Sequence, residues 1–333
     1  MDWSKGFSAL YHMTLVDPVT WRDVQEIDIT GGSIQRETDG MMQSADIDTR
    51  DFPSGECYIR VYLDARQEGG GETVALFTGL ATTPDADYNG VVESHTVQCF
   101  SVLKAADDVL LPRGYYVPAG IDAGVILTKL LAVVPAPVTI AGDAPSLLAS
   151  IVADEDDSYL DMVQRVVAAI NWRMRLTGRG EIIIEPFPDY TVETFDPLEN
   201  DSIETQITTT NDWYSCPNVF RAIDEDLTAI ARDDSVDSPL STVNRGREIW
   251  QQDTSCNLAD NESIGQYALR RLREEQRNAL SASYKRRFQP NIMPGDLIYL
   301  KHPKQGLNGV FRVVSQGIEL GYGATTSEEV VNE

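Results

Sequence analysis

The densest run of groups able to do chemistry is Asp154-Glu155-Asp156-Asp157. Paired carboxylates could hold a divalent cation or share acid and base roles. A calcium loop, however, needs carboxylates at alternate positions around a glycine turn, and this run has neither. Neighbouring side chains in such a run also diverge instead of meeting at one point. The run reads as a solvated loop whose negative charge favours the N-terminus of the helix that follows. The histidines His12, His95 and His302 are scattered through β-patterned stretches with no HExxH or paired spacing, so they read as strand or surface residues. Cys57, Cys99, Cys216 and Cys256 lie far apart, with no CxxC pair and no protease context, and read as isolated buried thiols. There is no GxSxG elbow, and Gly178-Arg179-Gly180 is too short for a phosphate-binding loop; it reads as a hairpin turn. No catalytic, cofactor-binding or metal-binding residue is assigned, and the chain reads as non-enzymatic.

Charge narrows the classes further. Against 52 acidic residues the chain has 27 basic ones, a formal net charge of −25 over 333 residues. A surface that reads duplex nucleic acid needs Lys/Arg patches, so this balance argues against one. Apolar residues at 42% and charged residues at 24% describe an ordinary globular protein with room for two or three domains. The N-terminus has no apolar leader pattern and no run approaches membrane-spanning length. The expectation is a protein without a membrane anchor, made and kept in the cytoplasm unless it leaves as part of a particle.

The elements that would position any site change period along the chain. Residues 1–105 read as all-β, with strands at 9–16, 25–29, 44–49, 57–64, 73–80 and 92–100. Cys57, Ile59, Val61 and Leu63 alternate with Tyr58, Arg60, Tyr62 and Asp64, as in a strand with one buried face. In 121–134 the period becomes helical, with Ile121, Val125, Leu127, Leu130, Leu131 and Val134 forming a stripe that Pro135 and Pro137 end. A second helix begins at Ser158, with Asp161 completing a weak capping box and Leu160, Val163, Val166, Val167 and Ile170 on one face. A short strand follows at 181–185.

From about 190 the β pattern returns, at 191–195, 202–208, 218–223 and 247–250. The polar, acidic stretch 224–243 is expected to be an exposed loop. Residues 262–280 read as a helix with Ile264, Ala268, Leu269, Leu272 and Ala279 inward. Within 284–320, Leu297, Tyr299 and Val310-Phe311-Arg312-Val313-Val314 suit a half-buried pleated surface. Pro294, Gly295 and Asp296 should shape the turn into this closing strand, and Asn308 and Gly309 should form the hairpin that fixes its register. Valine at Gly295 or Gly309 is expected to disrupt this region. Residues 321–333 read as a flexible acidic tail.

This order of elements carries a resemblance. An insert beginning Gly114-Tyr115-Tyr116-Val117-Pro118-Ala119-Gly120, a helix-hairpin at 159–185, a helix at 264–280 and the closing segment Ile292-Met293-Pro294-Gly295-Asp296-Leu297 follow one another. Over nearly the whole chain this succession resembles the baseplate hub proteins of phage tails and contractile injection systems. That group includes the late control gene D family, the phage Mu hub and the N-terminal part of VgrG.

The resemblance implies an α+β, mainly β fold: two similar small, tail-tube-like β-barrel domains at 1–105 and 190–320, with an α/β insert at 106–189 and the helix 262–280 inserted in the second. It further implies a homotrimer that joins a sixfold tail tube to a threefold spike or fibre around a channel for DNA. Its partners would be its own copies, a tail tube or distal tail protein, a separate spike or fibre protein, and a tape measure protein. It would sit at the virion tail tip after assembly in the host cytoplasm. The acidic balance would suit a lumen to which passing DNA does not adhere. Unlike VgrG, the chain ends after the second barrel, so any spike would be a separate chain. Hub folds also return a strand to the first barrel after the insert, and 218–223 is a candidate for it. Two other tail roles compete. A cell-wall hydrolase would need two carboxylates across a sugar cleft, and nothing selects them here. A receptor- or carbohydrate-binding protein would use aromatics such as Trp172, Trp213, Tyr214 and Trp250, although core packing accounts for Trp172 and Trp250.

Overall fold

The computed structural model describes residues 1–333 except 54, 83–84, 89–92, 200–201, 212, 225–226, 255, 257, 259–261 and 278. The fold is mainly β, with large antiparallel sheets.

The first set of strands is β1 (Ser8–Val16), β2 (Asp23–Glu37), β3 (Gln43–Thr49), β4 (Cys57–Gln67), β5 (Gly70–Ala81), β6 (Asp85–Tyr88) and β7 (Glu93–Ser101). Part of the stretch expected to form the last of these, residue 92, lies outside the described residues. Pairing runs β1-β4-β5-β7-β3-β2 and returns from β2 to β1, so these six strands form a ring of antiparallel partners. The alternation in β4 places Ile59, Val61 and Leu63 in the core at 0% exposure. Arg60 and Tyr62, expected on a solvated face, are buried too, because a turn from the insert and the Asp23 side chain cover them. β2 outruns its expected length: its N-terminal half pairs with β1 and its C-terminal half with β3.

The insert contains α1 (Lys104–Asp107), β8 (Tyr116–Val117), α2 (Ala123–Leu130), β9 (Val138–Ile140), β10 (Ile151–Val152), α3 (Tyr159–Ala169), β11 (Trp172–Leu176) and β12 (Ile182–Pro186). Ser158 and Asp161 close the capping box at the start of α3, satisfying backbone donors that the first helical turn leaves free. The helical stripes meet the small sheet β11-β12-β9, and Leu127, Leu130, Val163, Val166, Ile182 and Ile184 form the centre of one core.

Six more strands build the second set: β13 (Thr191–Phe195), β14 (Ile203–Asn211), β18 (Leu280–Arg286), β19 (Leu297–His302), β20 (Leu307–Glu319) and β21 (Thr326–Asn332). They pair in the order β13-β19-β20-β21-β18-β14, and β20 also pairs with β2, which fuses both sets into one 13-stranded sheet. Phe288, Ile318, Leu320 and Ala324 pack into the first core, which residues 1–105 therefore do not complete alone.

Between β14 and β18 lies a separate small unit: β15 (Val219–Asp224), β16 (Leu227–Arg232), α4 (Thr242–Arg245), β17 (Trp250–Asp253) and α5 (Ile264–Arg277). Its sheet, β16-β15-β17, is covered by α5 around Phe220, Ala222, Tyr267, Ala268 and Leu272.

Several expectations change. The strand that returns to the first set is β20, whereas 218–223 supplies β15 and pairs with β16 and β17. The expected loop 224–243 holds β16 and α4, apart from residues 225–226, which lie outside the described residues. β16 was hard to read because Leu227 and Ile230 are exposed and Ala231 alone is buried. On α5, Tyr267 faces inward while Leu269 remains 40% exposed. The stretch 321–333 is not a loose tail: β21 lies between β18 and β20. Its buried phase is Thr326, Glu328 and Val330, and the central carboxylate hides the strand from an apolar pattern.

Candidate functional site

A row of buried polar side chains crosses the seam between the two sets of strands. Gln43 on β3, Arg36 on β2, Gln316 on β20, Glu328 on β21 and Tyr284 on β18 are successive cross-strand partners. All five are buried. In strands, such neighbours lie side by side on one face, so register alone brings them together.

Glu328 is the hub of the row. It accepts from Arg286 Nε at 2.9 Å and Nη2 at 2.7 Å, from Tyr284 Oη at 2.6 Å and from Gln316 Nε2 at 2.7 Å. Burial by itself would push the Glu328 carboxyl up, but the Arg286 charge and these hydrogen bonds hold it below the usual carboxylate range. Burial and the adjacent carboxylate push the Tyr284 phenol well up, so it remains a donor.

Arg36 is buried and, among the described residues, has no carboxylate partner. Its Nη2 donates to the Leu76 carbonyl and its Nη1 contacts Met293 Sδ at 3.3 Å. Leu76 is available because the β4–β5 ladder skips it, pairing Val61 with Phe77 and Tyr62 with Ala75. The bulge thus leaves a carbonyl for a cation arriving from another strand. Burial, and secondarily the charge of Arg286, lower the Arg36 guanidinium to about 10, so it stays charged at neutral pH.

The insert is anchored at two points beside this row. At the β11–β12 turn, the Gly178 carbonyl accepts from Thr78 Oγ1 at 2.8 Å, and the Arg179 carbonyl accepts from Trp21 Nε1 at 3.0 Å and Arg60 Nη2 at 3.3 Å. The Gly178-Arg179-Gly180 turn therefore offers carbonyls to protein donors, the opposite polarity to a phosphate cradle. On β11, Arg173 donates to Glu185 Oε1 and, at 2.9 Å, to Asp296 Oδ1. Arg175 Nε donates to Glu185 Oε1 as well, at 2.8 Å.

Asp296 thus ties the Pro294-Gly295-Asp296 turn to the insert. Its Oδ2 also accepts from Met293 N at 2.9 Å, and Gly295 takes φ +87°. Asn308 and Gly309 are not in the hairpin turn. They lie inside β20 opposite Lys301 and Leu300, and the connection is made at Pro303–Gln305 and Gly306, where φ is +78°. A glycine with positive φ was available two residues earlier than the Asn-Gly pair and took the turn.

The remaining candidates do not converge. Asp154 and Asp157 both pair with Arg165 of α3, and Glu155 pairs with Arg113. Among the described residues no group of His, Cys, Asp and Glu could hold a metal ion. His12 meets Asp64 at 3.0 Å, while His302 is buried and its basicity is lowered by burial. Cys99 and Cys216 are buried, but Cys57 and Cys256 are only half-buried. Trp172 packs against the insert core as expected, whereas Trp250 is 47% exposed and is not a core residue. The sequence reading missed Arg36, Arg173, Arg286 and Glu328. The signal for Arg286 was its place in the inward phase of Ala282 and Tyr284.

Neither a protein-family model nor a curated protein matches the sequence. Solved structures do match. A tail protein from Neisseria meningitidis aligns with a TM-score of 0.72 at 12% identity, covering 98% of this chain and 96% of the other. The 43 kDa tail protein of prophage MuSo2 from Shewanella oneidensis aligns with a TM-score of 0.68 at 13% identity, covering 98% of both chains. This chain has the fold of phage tail proteins. The same fold extends to an Escherichia coli component of the type VI secretion system, at a TM-score of 0.54 and 10% identity over 92% of this chain and 74% of that one. In this chain the buried polar row crosses the seam of that fold.

Proposed function

We propose that the chain is the structural hub of a phage or phage-like tail tip: a non-enzymatic homotrimer that joins a sixfold tail tube to a threefold spike or fibre and surrounds a channel for DNA. Full-length likeness to tail proteins, on both chains, is the observation that carries this reading. The strand pattern supports it. Six strands pair in a ring in the first set, and six strands follow one another in the second. Two similar barrels per subunit give three subunits six modules, and that count converts sixfold to threefold symmetry.

On this reading the first barrel comprises 1–105 with help from β20, the insert occupies 106–189, and the second barrel runs from 190 to the end of β21. The excess of acidic residues suits a lumen that repels DNA. Partners are the tail tube or distal tail protein, a spike or fibre protein and a tape measure protein, and the location is the virion tail tip.

Light scattering on the purified chain, alone and with the cognate tube protein, tests the assembly, and threefold averages in electron micrographs test the symmetry. A trimeric mass with six matching densities around an opening supports the hub. A strictly monomeric chain that also clears purified cell walls would favour the hydrolase instead.

A further inference from the structure

Arg36 and Gln43 are cross-strand neighbours on β2 and β3, 2% and 4% exposed. Each carries one polar atom without a hydrogen-bond partner: the Arg36 Nε–H, a donor, and Gln43 Oε1, an acceptor. Their other polar atoms are committed. Gln43 Nε2 donates to the Leu176 carbonyl at 2.8 Å, which fixes the end of the amide that is oxygen. The Arg36 Nη atoms are held by Leu76 and Met293. A cavity of about 10 Å³ adjoins both side chains, bounded also by Glu37, Arg175, Met42, Met174, Met293 and Pro294. A volume of this order holds one solvent molecule.

We propose that this cavity is a binding site for a single ordered water, which accepts from Arg36 Nε and donates to Gln43 Oε1. The pairing of orphan atoms selects the ligand. Among the described residues Arg36 pairs with a carbonyl and a thioether and with no carboxylate, so charge alone would invite a small anion. An anion can accept from Arg36 but leaves Gln43 Oε1 facing negative charge without a donor. Water does both.

The site's position gives it a role. Its walls come from the first set of strands, from β11 of the insert and from the Met293-Pro294 approach to β19. Three methionine side chains, which adapt to irregular gaps, meet there. The water therefore completes the polar joint at which three segments converge.

A high-resolution structure of the intact chain, grown once in chloride and once in bromide, tests the proposal. The expected result is one peak within hydrogen-bonding distance of both Arg36 Nε and Gln43 Oε1, with no anomalous signal in bromide. Magnetic relaxation dispersion, which counts long-lived internal waters, should lose one water in Gln43→Leu. An anomalous bromide peak at Arg36, an empty wild-type cavity, or an unchanged water count in Gln43→Leu would overturn it.

Discussion

Arg286 and Glu328 form a two-point ion pair, Nε to Oε2 at 2.9 Å and Nη2 to Oε1 at 2.7 Å, with both side chains at 0% exposure. They lie 42 residues apart and come together because β21 pairs beside β18. Two parallel charge-assisted bonds with further donors on the carboxylate are the geometry in which burial of an ion pair is best compensated.

Removing one partner should cost more than removing both. Glu328→Gln leaves a buried guanidinium without its counter-ion and is expected to destabilise the fold by about 3–5 kcal/mol. The double variant Arg286→Met/Glu328→Leu should lose less than the sum of the single changes. Urea unfolding of the wild type, Glu328→Gln, Arg286→Met, Glu328→Leu and the double variant measures both, and strict additivity of Arg286→Met and Glu328→Leu would rule out this coupling.

The same carboxylate makes stability depend on acid. The Glu328 pKa is lowered in the folded chain, so the unfolded chain binds the proton more readily. Its stabilising contribution is complete above the ordinary glutamate pKa, and it fades as pH falls through the lower, folded value. The wild type should therefore lose more stability between neutral pH and acid than Glu328→Gln. Parallel pH profiles of Tm would contradict this.

Ending the chain before Thr326 removes β21, and with it the Glu328 carboxylate and the partners of β18 and β20. We expect loss of the cooperative melt and poor solubility. A truncated chain with wild-type Tm would show the C-terminal strand to be dispensable.

Valine substitutions separate two glycines in one hairpin region. Gly295 takes φ +87°, and an added Cβ would stand 3.2 Å from Arg173 Nη1, so Gly295→Val should cost about 1–3 kcal/mol. Gly309 has open space around it in a strand, and Gly309→Val should change stability by only about 0.5 kcal/mol. Equal Tm losses would refute this assignment of the turn.

Gly178→Ala tests the docking of the insert. An added Cβ would lie 1.8 Å from the Ala75 carbonyl oxygen, which no small shift relieves. The β11–β12 turn must then lift from β5, exposing the insert to protease at its boundaries and lowering Tm. Unchanged proteolysis would show that the contact does not hold the insert.

Local signals carried much of the architecture. Alternation in β4, the stripe and capping box of α3 and the polar-faced helix α5 were legible because each depends on neighbours within a few residues. Pro294-Gly295-Asp296 reads as a turn for the same reason. Asn308-Gly309 misled because Gly306, a competing local signal, lies just before it. β21 stayed hidden because its central inward residue is a glutamate, and that phase makes sense only once Arg286 is opposite.

What the sequence determined by itself, then, was the succession of elements, the mainly β composition and the resemblance that this order carries. These follow from short-range periodicity and turn chemistry. Tertiary structure decided which polar residues became interior. Register across five strands put Gln43, Arg36, Gln316, Glu328 and Tyr284 in one row, and the bulge at Leu76 gave Arg36 its acceptor. A charged side chain reads as surface until its partner is known, and these partners come from distant parts of the chain. Burial of charge is a property of pairs, which one-dimensional spacing does not encode.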